Sequence, residues 1–219
     1  MFKTETHLHT SEVSGCAKCT AAEMVALYHA SGYSTLFVSD HFQPSTLDRF
    51  GDISWEEKLD CFCIGYNNAK EAGEKYGMHI LLAAELCLYE SSNHYLLYGF
   101  DMDFLKNLPE IFTMSIADFY PLAKQNGILL IQAHPMRDGK CFPVPLHTDG
   151  FEVYNSNPRH ENFTAETLVI AKEHGIYITG GSDAHRIEDV GGSGVLSETE
   201  ICTSADYIRL LQENKLTCI

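Results

Sequence analysis

Five groups of metal-ligand side chains stand at or just past the ends of apolar runs in this chain. They are His7 and His9, Asp40 and His41, Glu85, His134, and Asp183 with His185. Imidazoles and carboxylates are the donors that hold divalent zinc, manganese or iron. Ions held in such a set lower the pKa of bound water from about 16 towards 7 and neutralise a developing oxyanion, the chemistry of a metal-dependent hydrolase. His7 and His9 share one face of a strand because side chains alternate with period two. Asp183 and His185 repeat that spacing behind Gly180 and Gly181, which predicts a close approach of backbone to metal or anion. His134 precedes Pro135, which restricts the chain there.

Groups so far apart in sequence meet only if the strands that carry them share one rim. The elements predict this. A strand over 2–7 is followed by a helix from Thr20, with Glu23 completing a capping box and Gly32 ending it. Strand two is centred on Leu36, Phe37 and Val38. Ser54 with Glu57 opens a long helix that runs to about Tyr76. Strand three, Ile80 to Ala84, delivers Glu85, and strand four, about His94 to Phe100, begins with a histidine instead of ending with one. A helix over 115–126, a buried strand over 128–131, a strand over 151–154, a helix over 164–174, a strand over 176–179 and a closing helix over 204–214 complete the chain. Strands alternating with helices argue a parallel sheet, and about seven of them suggest an α/β fold of the distorted TIM-like (β/α)7 barrel type. Such a barrel puts its site at the C-terminal strand ends. No Gly-rich phosphate loop follows strand one, which weakens a dinucleotide-binding reading.

The 219 residues suit one domain, 1–219, and their 45% hydrophobic content is that of a globular chain. No apolar run approaches the roughly 18 residues of a membrane span, so no membrane partner and a cytoplasmic location are expected. Thirty acids against 15 Lys and Arg leave a charge of −15, which repels nucleic-acid polymers. A small phosphate ester can still bind, because bound cations reverse the local field. The eight cysteines fit reduced thiols; Cys16 and Cys19 have the spacing of half a zinc knuckle, with no second CxxC to complete it.

The motifs together resemble the PHP family, the polymerase and histidinol phosphatase superfamily of metal-dependent phosphoesterases. The resemblance rests on His7-Leu8-His9-Thr10, Ser39-Asp40-His41, Glu85 with His94 ahead of Tyr98-Gly99-Phe100, Ala133-His134-Pro135 and Gly181-Ser182-Asp183-Ala184-His185. It implies a distorted barrel with two or three divalent ions (Zn, Mn or Fe). His7, His9, Glu85 and Asp183 would hold one; Glu85 would bridge to a second held by His94 and His134; His41 and His185 would reach a third. Family members often complete that third site with an Asp or His shortly after the first motif, and the nearest acid here is Glu12.

The expected reaction is hydrolysis of a small soluble phosphate ester, such as histidinol phosphate, a nucleotide or a sugar phosphate, by a hydroxide bridging the metals. Asp40 or His41 is the candidate proton donor to the leaving group. Arg137, Arg159 and Arg186 fall on rim loops, where a guanidinium fork suits phosphate. Two alternatives are an amidohydrolase-like C–N hydrolase, which Glu85 at the bridging position disfavours, and a metal-loaded sensor of a phosphorylated ligand.

Overall fold

The structure is a computed structural model and describes residues 1–88 and 91–219. Its strands are β1 (Phe2–Leu8), β2 (Thr35–Val38), β3 (His41–Phe42), β4 (His79–Cys87), β5 (His94–Tyr98), β6 (Leu129–Ala133), β7 (Gly150–Asn155), β8 (Tyr177–Gly181), β9 (Val195–Ser197) and β10 (Thr217–Cys218). Its α-helices are α1 (Ala21–Ala30), α2 (Pro44–Leu47), α3 (Trp55–Phe62), α4 (Ile64–Glu74), α5 (Met102–Lys106), α6 (Ile116–Gln125), α7 (Thr164–His174) and α8 (Ser204–Gln212).

The strands form one sheet in the order β10-β9-β1-β2-β4-β5-β6-β7-β8, with β3 alongside β4. A parallel bridge between Leu8 and Ala184 brings the end of β8 back to the end of β1, so the sheet closes into a barrel at that rim. The wall consists of β1, β2, β4, β5, β6, β7 and β8, the distorted (β/α)7 barrel that the alternation of elements predicts. Gly181 is needed for the closure. A Cβ there would lie 2.7 Å from His7 Cβ and 2.6 Å from Glu152 Oε1. The expectation for this glycine was an approach of backbone to an ion; what it admits is the neighbouring strand.

The expectation of parallel strands holds for β1–β2, β2–β4, β6–β7 and β7–β8 and fails at β5, which runs antiparallel to both β4 and β6. Only six residues separate the end of β4 from the start of β5, too few for the crossover that a parallel neighbour needs. The reversal puts the start of β5 on the rim where its neighbours end, pairing His94 with Cys87 and with Ala133. This is why that strand begins with its histidine. The pair β9–β10 adds an antiparallel edge beside β1 that sequence patterning missed.

The capping boxes at Thr20–Glu23 and Ser54–Glu57 form as expected. The long helix from Ser54 instead breaks at Cys63 into α3 and α4. α4 turns Gly65 onto the barrel, where a Cβ would meet Thr10 Oγ1 at 2.1 Å and Asp40 Oδ2 at 2.5 Å. Apolar side chains fill the layer between wall and helices, including Phe42, Phe62, Leu97 and Phe119 on one side and Leu8, Met24, Tyr28 and Leu36 on another. Cys19 is buried in the second group, so it does not share a site with Cys16. Among the described residues no helix is long and apolar enough to cross a membrane.

Candidate metal centre

Six of the expected ligands gather around a seventh, the buried carboxylate of Glu85. Glu85, 1% exposed on β4, places Oε1 3.0 Å from His94 Nδ1 and 3.0 Å from His134 Nε2. Its Oε2 lies 2.5 Å from His41 Nδ1 and 3.6 Å from His9 Nε2. His7 Nε2 is 3.1 Å from His9 Nε2, and each of these nitrogens is within 3.4 Å of Asp183 Oδ1. Donors bound to one ion at about 2.0–2.2 Å sit about 3 Å from each other, so these separations are those of shared ligands.

Two local features aim the side chains. His134 (φ 31) and Asp183 (φ 53) both adopt the left-handed backbone region that non-glycine residues avoid. Strain of this kind costs about 1–3 kcal/mol each and concentrates at functional sites. Glu152 on β7 fixes two ligands at once: His7 Nδ1 donates to its Oε1 at 2.8 Å, and the His134 backbone N–H donates to its Oε2 at 3.1 Å. A carboxylate on Nδ1 leaves Nε2 of His7 free for a metal. Asn157 Nδ2 donates to Asp183 at both the backbone oxygen (3.1 Å) and Oδ2 (3.3 Å). Sequence reasoning missed both residues. The available signal for Glu152 was an acid inside the apolar run Phe151-Glu152-Val153-Tyr154.

The residues fit an ion on an observation of their own. Glu85 Oε2, His41 Nδ1 and His134 Nδ1 are buried without a hydrogen bond among the described residues; the first two face each other at 2.5 Å but out of hydrogen-bond alignment. An unsatisfied buried polar atom costs about 1–3 kcal/mol, and coordination by Glu85 Oε2 and His41 Nδ1 would remove that cost for those two. Three sets of donor atoms each lie within 4.8 Å of one another: His7, His9, Glu85 and Asp183; His41, Glu85 and His94; and His9, His41 and His185.

The electrostatics divide the imidazoles into two kinds. Burial alone would lower His7, His41 and His94 and raise Glu85 and Asp183. The close contacts override it: Glu152, Asp183 and Glu85 hold His7 well above its ordinary value, and Glu85 lifts His41 to about 10 and His94 well up. The same contacts keep Glu85 and Asp183 well below the usual carboxylate range. Burial prevails at His9, helped by the charges of His185 and His41, and at His134, which falls to about 4.

Two expected residues stand elsewhere. Both oxygens of Glu12 accept the Ala21 N–H at 3.0 Å, so Glu12 caps the start of α1 instead of joining the histidines. The Cys16 thiol lies near these histidines instead, 3.2 Å from His41 Nε2. Asp40, expected as a proton donor, is enclosed: its oxygens accept from Thr10 N, Thr10 Oγ1 and Ser14 Oγ, all at 2.7 Å. Ser14 Oγ in turn takes the His41 N–H at 3.0 Å and lies 3.2 Å from His9 Nδ1. Asp40 therefore positions two ligands through Ser14. His41, the other expected donor, lies among the ligands.

All three expected arginines line the mouth, a cavity of about 250 Å³ shared with Cys16, His41, His94, Asn157, His160, Asp183 and His185. Arg137 pairs with Asp183 Oδ2 and reaches Asn155, and Arg159 grips Asp189 through two bonds of 2.6 and 2.8 Å. The backbone N–H of Arg186 donates to Asp189 Oδ2 at 3.0 Å, while its guanidinium makes no salt bridge among the described residues.

A family model described as PHP-associated matches residues 159–216. Across its whole length the chain superposes on a two-domain protein from Bacteroides vulgatus containing a predicted PHP-like metal-dependent phosphoesterase, with a TM-score of 0.68 at 14% identity. The fold of this chain is thus similar to that of PHP-like proteins, and its 159–216 segment to the PHP-associated family. The chain spans 64% of that two-domain protein. PsfC from Pseudomonas syringae superposes with a TM-score of 0.71 at 18% identity, over 100% of this chain and 91% of PsfC. An amidohydrolase from Chromobacterium violaceum, solved with bound sulfate and no metal, gives 0.59 at 16% identity over 98% and 97%. No curated protein matches in sequence.

Proposed function

We propose that this chain is a metal-dependent phosphoesterase of the PHP type acting on a small soluble phosphate ester. The observation that carries the reading is Glu85, whose two oxygens face different donor sets, His94 and His134 at one and His41 and His9 at the other. A carboxylate so placed suits adjacent ions. His7, His9, Glu85 and Asp183 would hold the first, and Glu85, His94 and His134 the second. When bound, such ions activate water and neutralise phosphoryl oxygens. The chain's own part is to orient the ligands through Glu152, Asp40 and Ser14, and to offer guanidinium groups at the mouth. Arg186, its guanidinium free of a salt bridge among the described residues, is the arginine best able to take a phosphate.

The third set, His9, His41 and His185, is all imidazole and lacks an anionic donor. With Glu12 turned away, Cys16 supplies it. Cobalt(II) loading tests this, because thiolate ligation gives a near-ultraviolet charge-transfer band. The band is expected in the wild type and in Glu12→Ala and absent in Cys16→Ser; a wild type with cobalt bound and no band would remove Cys16 from the set.

The activity is tested by phosphate release from phosphomonoesters and cyclic phosphodiesters with manganese- or zinc-reconstituted protein. Release that chelator abolishes is expected. A metal-loaded protein that hydrolyses none of them would shift the reading to C–N hydrolysis, as the name of the Chromobacterium relative suggests for that protein, or to a sensor.

A further inference from the structure

At the mouth, outside the ligand sets, His160 and Asp138 form a pair that the centre does not use. His160 Nδ1 lies 2.8 Å from Asp138 Oδ2, and the imidazole lines the same cavity as His41, His94, Asp183 and His185. Asp138 is not a loose surface acid. Its Oδ1 accepts the Glu161 N–H at 3.1 Å, its own N–H donates to the Glu161 carbonyl at 2.7 Å, and its backbone sits at φ 53. The rim segment 137–140 is thus locked to segment 159–161, and the lock presents one carboxylate oxygen to one imidazole nitrogen. Arg159 beside it is held by Asp189, which fixes the second segment from its other side.

We infer that His160, positioned by Asp138, is the proton donor to the leaving group, an inference that rests on the phosphoesterase reading. The residues expected from sequence cannot serve: Asp40 is enclosed by Thr10 and Ser14, and His41 is among the ligands. His160 has the required parts. With Nδ1–H donating to Asp138, Nε2 is the nitrogen that gives and regains a proton, and the carboxylate holds the ring in place. The balance is simple. Water adds to phosphorus, the P–O bond to the alcohol breaks with its electron pair going to that oxygen, and the proton on His160 Nε2 passes to it. The proton lost by the attacking water restores the imidazolium through solvent.

An acid of this kind matters most for poor leaving groups. The test compares wild type, His160→Gln and Asp138→Asn on a series of aryl and alkyl phosphates of rising leaving-group pKa, with metal content measured in each. The wild type is expected to depend weakly on leaving-group pKa. His160→Gln should match it on p-nitrophenyl phosphate and fall about 100-fold behind on alkyl phosphates, with Asp138→Asn between them. A purely structural role would lower all substrates together. Equal slopes in wild type and His160→Gln, with metal content intact, overturn the assignment of His160 while leaving the phosphoesterase reading standing. A wild type that hydrolyses no ester overturns both.

Discussion

Glu85→Gln is expected to empty the centre of metal and to lower phosphate release by about 1,000-fold or more. The substitution keeps the shape of the side chain and removes its charge. In place of two anionic oxygens it offers one carbonyl and one amide nitrogen, which donates and cannot coordinate. Five imidazoles face this carboxylate, those of His7, His9, His41, His94 and His134. In the metal-free protein His41 and His94 are raised chiefly by Glu85, and His7 by Glu152 and Asp183 with Glu85 behind them. Removing one member of a buried ionic cluster costs about 3–5 kcal/mol, so the metal-free variant should also unfold at lower urea than metal-free wild type. Metal content by elemental analysis and turnover on the best substrate are the readouts. Full metal content with normal turnover would remove Glu85 from the bridging position.

Much of this centre was legible in the sequence because ligand chemistry and strand ends coincide. A histidine or acid that terminates an apolar run is placed on a rim by the fold, and neither its neighbours nor its partners need be known. His94 was legible as a residue and not as a position, since only the antiparallel return of β5 puts the start of that strand on the rim. Glu12 shows the opposite failure. Closeness in sequence to His9 suggests it as a ligand, but the turn that follows directs its carboxylate to the open end of α1, where unpaired N–H groups attract an anion. Glu152, Ser14 and Asn157 form no motif. Each acts by holding a ligand from a different strand or loop, and such contacts exist only once the barrel has closed. The break between α3 and α4 was hidden for a related reason. Local pattern favours one continuous helix, and the close approach of Gly65 to Thr10 and Asp40 is tertiary.

Loading the metal-free protein at pH 7.5 is expected to expel about three protons, because a ligand must be deprotonated to coordinate. His7, His41 and His94 are the source: their contacts with Glu85, Asp183 and Glu152 raise them, to about 10 at His41, so they are charged at this pH. His9 and His134 are lowered and contribute none. Each displaced proton changes the apparent binding constant by up to about tenfold per pH unit, so affinity should rise steeply as pH climbs above neutral. Calorimetry in buffers of different protonation enthalpy counts the protons directly, and a count below one would show that the imidazoles are neutral before metal arrives. The same shifts set the stability of the metal-free chain, with the sign fixed by linkage. Raised histidines stabilise it fully below their unfolded value of about 6.5 and lose that contribution as pH rises through their folded values. Lowered Glu85 and Asp183 stabilise it above about 4.5 and lose that contribution on acidification. Metal binding strengthens over the very range in which the histidine contribution fades. The difference in urea midpoint between loaded and chelated protein should therefore widen steadily from pH 6 to pH 9, the ions taking over as counter-charges to Glu85 and Asp183 where the imidazolium groups give way.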